Sequence, residues 1–138
     1  MSTGMARARE ELFAAHLLGT TGFAAQTVGL AFRAALAAAE ATLVLLDKPS
    51  AAEPAAVVAA FVRHAVRDRG MDPDAGRRLR SLYNRDVQAA ADGAVPQPEA
   101  GLALADATVV IDVVEAWIKT SQRVAEERGP SRRLPRRR

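Results

Sequence analysis

The sequence predicts an all-α fold, an antiparallel bundle of four to five helices, and three observations carry that reading. Apolar residues recur at helical spacing over five separate segments. No segment alternates with period two, and hairpin turn signals are missing. The segments are set apart by helix stop and start residues: Gly19, Asp47-Lys48-Pro49, Gly70, Asp72-Pro73, Gly93 and the Pro96/Pro98 pair. At 138 residues the chain fits one domain, large enough to bury a core without covalent staples.

The first helix is expected from about Met5 to Leu18, with Met5, Ala8, Leu12 and Ala15 as its stripe and Gly19 as C-cap. A long second helix follows from about Phe23 to Leu46. Phe23, Thr27, Leu30 and Ala34 form one face, and Phe32, Leu36, Ala39 and Leu43 a neighbouring one. Two apolar faces mark a central helix covered on several sides, and its alanines let partners approach closely. The third helix opens either on a Ser50/Glu53 capping box or on Glu53 with Pro54 at the first helical position. It carries Val57, Val58, Phe61, Val62 and Ala65 and stops at Gly70. Asp72-Pro73-Asp74 supplies a cap, a first-turn proline and an acid facing the helix dipole, which starts the fourth helix; Gly93 ends it. The fifth is expected from about Glu99 to Arg128, with Leu102, Ala105, Val109, Val113 and Ala116 on one stripe, Trp117 beside it, and Glu115–Lys119 as an outward pair.

Composition bounds the chemistry. Without cysteine, disulfides and thiolate metal sites are excluded. The first twenty residues carry Glu10, Glu11 and His16 and no long apolar run, so no signal peptide is expected. The longest apolar stretch, residues 34–46, is short for a membrane span and contains Glu40. A soluble, cytoplasmic protein without a membrane partner is the expectation. His16 and His64 have no second ligand at helical spacing, and there is no Gly-rich phosphate loop, Gly-x-Ser-x-Gly elbow or His-Glu-x-x-His, so neither metal nor cofactor is expected.

The formal net charge of +3 is unevenly placed. Residues 129–138, GPSRRLPRRR, hold five arginines and no acid, leaving fourteen basic against sixteen acidic side chains in residues 1–128. The chain therefore divides into a bundle over 1–128 and a tail over 129–138 that is expected to be disordered. Arg132, Arg133, Arg136 and Arg137 are candidates for phosphate or nucleic-acid binding by counterion release, against the alternative of a solubilising end. The basic segments have no interleaved aromatics, so base stacking is not indicated.

Residues 79–93 concentrate the polar interest. Leu79, Leu82, Asp86 and Ala90 fall on one stripe, which places a carboxylate among apolar residues, and Tyr83, Asn84, Arg85 and Asp92 complete a polar cluster. Burying a charge is costly unless it is paired. Two readings stand: an Arg85–Asp86 network, with Arg63 or Arg67 as further partners, that holds helices in register, or a guanidinium meeting phosphate in a groove. Arg77, Arg78 and Arg80 on the same helix extend the second reading.

The layout also resembles a known family. Gly22-Phe23-Ala24-Ala25, Ala31-Phe32-Arg33-Ala34-Ala35, Ala38-Ala39-Glu40-Ala41 and Leu43 resemble the second helix of HEPN domains. Val57 to Phe61 resembles their third helix, Leu79 to Asp92 their Arg-bearing helix, and Leu104-Ala105-Asp106-Ala107 with Val110 to Ile118 their closing helix. The resemblance spans about residues 6–120. It implies a four- to five-helix bundle that dimerises and acts either as a metal-independent RNase or as the non-catalytic partner of a small nucleotidyltransferase, as in toxin–antitoxin pairs. Arg85 occupies the position of the family's active-site arginine, yet residues 86–92 contain no histidine to follow it at four to six residues, and the Arg-x-x-Ala-Asp-Tyr variant is not intact. Imidazole is the usual base for a ribose hydroxyl near neutral pH, and Asp92, the substitute available here, is a weak base at pH 7 when exposed. The expectation is a non-catalytic HEPN-like module, a homodimer or partner of another protein, with Leu102, Val109, Val113 and Trp117 as the interface. The alternative is an RNA or nucleotide binder, or residual RNase, using Arg85 and the basic tail.

Overall fold

The computed structural model describes residues 2–49 and 52–128. Five helices pack together: α1 Ser2–Gly19, α2 Ala24–Leu45, α3 Pro54–Phe61, α4 Pro73–Asp92 and α5 Gln97–Arg128. A π-helical segment, Val62–Arg67, continues α3 toward Gly70. No strand occurs among the described residues. Arg132, Arg133, Arg136 and Arg137, and the Ser50 half of the capping box, lie outside them.

The local signals act much as the sequence implies. Asp72 accepts a hydrogen bond from the Asp74 N–H at 3.0 Å, Pro73 takes the first helical position, and α4 ends on Gly93 at φ +76°. The third segment stops at Gly70, φ +71°. At the start of α3, Pro54 opens the helix, whereas the Glu53 side chain makes no capping hydrogen bond. Phe23 sits one residue before α2 as its N-cap and is exposed, so it does not belong to the buried face expected of it.

α2 is the centre. Thr27, Val28, Ala31, Phe32, Ala34, Ala35, Ala38, Ala39 and Leu43 are buried on several of its sides, against α1, α5, α4 and α3. Its length and mean hydropathy of 1.7 would suit a membrane span, but just over half of that window is buried inside the bundle. Thr27 and Thr42 stay in this core because each hydroxyl donates to a carbonyl one turn back, Phe23 O and Ala38 O. Helix directions follow from specific contacts. A Cβ on Gly4 would meet Ala41 at 2.8 Å and one on Gly19 would meet Thr27, so α1 runs antiparallel to α2. Phe32 packs on Tyr83 and Gly29 faces Asp86, so α4 is antiparallel to α2. Arg78–Asp106 and Arg85–Glu99 make α5 antiparallel to α4.

The fifth helix departs from expectation in its rotation. Its core stripe is Ala100, Ala103, Ala107, Val110, Ile111, Val114 and Ile118, and the expected stripe lies outside it, with Leu102, Ala105 and Ala116 exposed and Val109, Val113 and Trp117 half-buried. α5 carries two apolar stripes, and the one rich in alanine and branched aliphatics fits against the alanines of α2. Glu115 is likewise turned toward α1, where Arg9 bonds both it and Asp112, rather than forming a simple outward pair with Lys119.

Ala38, fully buried on α2, tests the close approach. Ala38→Leu should lower the free energy of unfolding by about 1–3 kcal/mol through overpacking, read from urea denaturation.

Candidate functional site

α4 distributes the polar cluster around its circumference instead of gathering it. Tyr83 and Asp86 turn toward α2. The Tyr83 ring lies 5.8 Å from that of Phe32, tilted by 59°. Asp86 sits over Gly29, where a Cβ would lie in ordinary contact, 3.6 Å from Asp86 Oδ1. Burial pushes the Asp86 carboxyl above its ordinary value, and Arg33 on α2 only partly opposes the shift. The Arg85–Asp86 pair is therefore not formed. One residue is about 100° of helix rotation, and the two side chains leave α4 on different faces.

Arg85 faces α5. Its Nη1 donates to Glu99 Oε1, and its Nε stands 3.9 Å from Asp106 Oδ2 without a hydrogen bond. Asp106, only 8% exposed, accepts a 2.8 Å bond from Arg78 Nη1. Arg78 also reaches Asp74 at 3.3 Å, one turn back. Two arginines seven residues apart on α4 thus meet two carboxylates seven residues apart on α5, in antiparallel register. Glu99 and Asp106 are the residues that sequence reasoning missed. The matched spacing of seven was the available signal, but it becomes readable only once α4 and α5 are known to be neighbours. Arg63 and Arg67 make no ion pair with this network among the described residues.

Beside the seam lies a groove of about 710 Å³. One wall is a stripe of α4, with Arg77, Arg80, Ser81, Asn84, Gln88 and Asp92; Arg85 and Glu99 close its α5 side, and Val28, Ala89 and Val95 supply apolar lining. Gln88 donates to Asp92 at 3.1 Å, and Arg77 touches Asp74 at 3.4 Å. Arg80 is exposed and has no ion pair among the described residues. The structure thus brings Arg77, Arg80, Arg85, Asn84 and Asp92 to one cavity, places Arg78 behind it in the seam, and sends Tyr83 and Asp86 elsewhere. No family model, curated protein or solved structure matches the chain.

Asp106→Ala leaves the Arg78 and Arg85 guanidiniums facing an unoccupied seam. It should cost about 2 kcal/mol of unfolding free energy, the scale of a hydrogen bond to a charged group.

Two carboxylates should shift stability with pH in opposite directions. The raised Asp86 binds its proton more tightly folded than unfolded, so it opposes folding once pH rises past its folded value. Asp86→Asn should therefore raise the urea midpoint at pH 7, with the gain disappearing below the ordinary value of 3.8. Glu115 is lowered, first by the hydrogen bond from Arg9, and stabilises above its ordinary value of 4.5. Glu115→Gln should lower the midpoint at pH 7, with the loss fading as pH falls through its folded value.

Proposed function

We propose that the chain is a non-catalytic HEPN-like helical module that works by association, as a homodimer or as the partner of another protein of the nucleotidyltransferase-linked, toxin–antitoxin kind. The observation that carries this reading is the second apolar stripe of α5. Leu102 is 50% exposed, Val109, Val113 and Trp117 are half-buried, and the small residues Ala105 and Ala116 between them leave a surface that a second helix can approach. Val113 and Trp117 lean on the core, so the bundle covers this stripe only in part, and the apolar surface it leaves is suited to a partner.

The state of Arg85 supports the non-catalytic half of the proposal. Its guanidinium is already bonded to Glu99 and lies near Asp106, so to meet a scissile phosphate it would have to abandon both. Arginine also offers no acceptor and cannot serve as a base. Residues 86–92 add no imidazole.

Light scattering on the full chain tests the association. The wild type should run as a dimer, and Val109→Asp and Trp117→Asp should each give a folded monomer, with circular dichroism confirming the fold. A wild-type monomer would assign the stripe to a different protein, whereas a dimer indifferent to both substitutions would overturn the reading. Incubation with a mixed pool of single-stranded and hairpin RNA should give no cleavage. Cleavage lost in Arg85→Ala would make α4 a catalytic helix and defeat the proposal.

A further inference from the structure

The groove along α4 is independent of the association surface, sharing none of Leu102, Val109, Val113 and Trp117. At about 710 Å³ it falls in the size range of small-molecule sites, roughly 300–1,000 Å³, and is far larger than the space of a few ordered waters. Its lining is of two kinds. Ala94, Val95 and Pro96 of the α4–α5 link make an apolar bed above a floor of buried Val28 and Ala89. Ser81, Asn84 and Gln88 run along the bed and offer both donors and acceptors.

The charges decide what belongs there. Three guanidiniums, from Arg77, Arg80 and Arg85, face the cavity with two carboxylates, from Asp92 and Glu99. Arg77 pairs with Asp74, Arg85 is neutralised by Glu99, and Asp92 accepts from Gln88. Of the groove's three cations, Arg80 is the one without a carboxylate partner among the described residues, a positive charge beside an apolar bed. A single charge suits a monoanion, while a dianion or a polyphosphate would meet the Asp92 and Glu99 carboxylates. We propose that this groove binds a small organic monoanion, with an apolar ring system on Ala94, Val95 and Pro96 and one carboxylate on Arg80. Ligand entry releases water from apolar surface while the charged head keeps a charge-assisted hydrogen bond.

Calorimetric titration of the full chain near neutral pH tests it with three probes: naphthoate, naphthalenemethanol as its uncharged counterpart, and inorganic phosphate. Naphthoate should bind saturably, one per chain, and about tenfold more tightly than the alcohol, the factor expected of one charged hydrogen bond. Arg80→Ala should remove that factor. Ala94→Trp, at an exposed position of the groove's link, should block both organic probes, and Arg123→Ala, an exposed arginine remote from the groove, should change nothing. Thermal melting establishes that each variant is folded. Equal binding of acid and alcohol, phosphate binding as tightly as naphthoate, no saturable naphthoate binding, or insensitivity to both Arg80→Ala and Ala94→Trp would each overturn the proposal. The dimer measurement reads a separate surface, so either proposal can fail without the other.

Discussion

The bundle depends on how closely other helices can approach α2. A helix buried on several sides must present side chains small enough for its neighbours to pack at short interaxial distance, toward the lower end of the usual range of about 8–10 Å. Ala31, Ala34, Ala35, Ala38 and Ala39 meet that condition with no exposed surface, and Gly4 on α1 and Ala103 and Ala107 on α5 meet it from the other side. Close approach replaces large side chains as the source of dispersion contact. It also makes the interior intolerant of added volume, because backbones rather than flexible side-chain ends lie nearest. Of the larger core residues, Phe61, Leu79, Leu82 and Ile111 belong to the neighbouring helices and Met71 to the link before α4, while α2 itself contributes Phe32.

That arrangement decides where α4 and α5 carry their charges. Both pack on α2 through apolar stripes, and they meet each other along flanks where Arg78, Arg85, Glu99 and Asp106 lie between core and solvent. Half-buried ion pairs add little stability over an apolar contact, but they penalise misalignment strongly, since a shift by one residue strands a charge. With both pairs spaced by seven, a slip breaks both contacts at once. The Arg9 contacts with Asp112 and Glu115 perform the same task between α1 and α5.

Much of this was legible in the sequence where signals are local. Capping at Asp72-Pro73, termination at Gly70 and Gly93, and the stripe Met5, Ala8, Leu12, Ala15 each depend on residues within a turn or two of one another. The rotation of α5 was not legible, because Leu102, Ala105, Val109, Val113 form as regular a stripe as Ala103, Ala107, Val110, Val114. Only the shape of α2 chooses between them. The π-helical segment after Phe61 was also invisible, since its sequence, VRHAVR, reads as ordinary helix. There the widened turn brings Val62 and Val66 against Gly76, where a Cβ would stand 3.3 and 3.4 Å from their methyl groups, so the register of the third segment is set by α4 and not by its own residues.

The same distinction separates the arginines of α4. By sequence Arg85 holds the most suggestive position, and Arg80 is one of a run of basic residues with nothing to single it out. In the bundle, an anion seeking Arg85 must first displace Glu99 and leave that carboxylate beside Asp106, two like charges at one seam. An anion seeking Arg80 displaces only solvent. The difference arises from register: the acids of α5 fall opposite positions 78 and 85, and no acid of α5 bonds position 80. Pairing α4 with α5 thus consumes Arg78 and Arg85, Arg77 turns to Asp74 on its own helix, and Arg80 is left facing the groove, which is why the polar surface available to a ligand is centred about a turn and a half before the residue that the sequence makes most conspicuous.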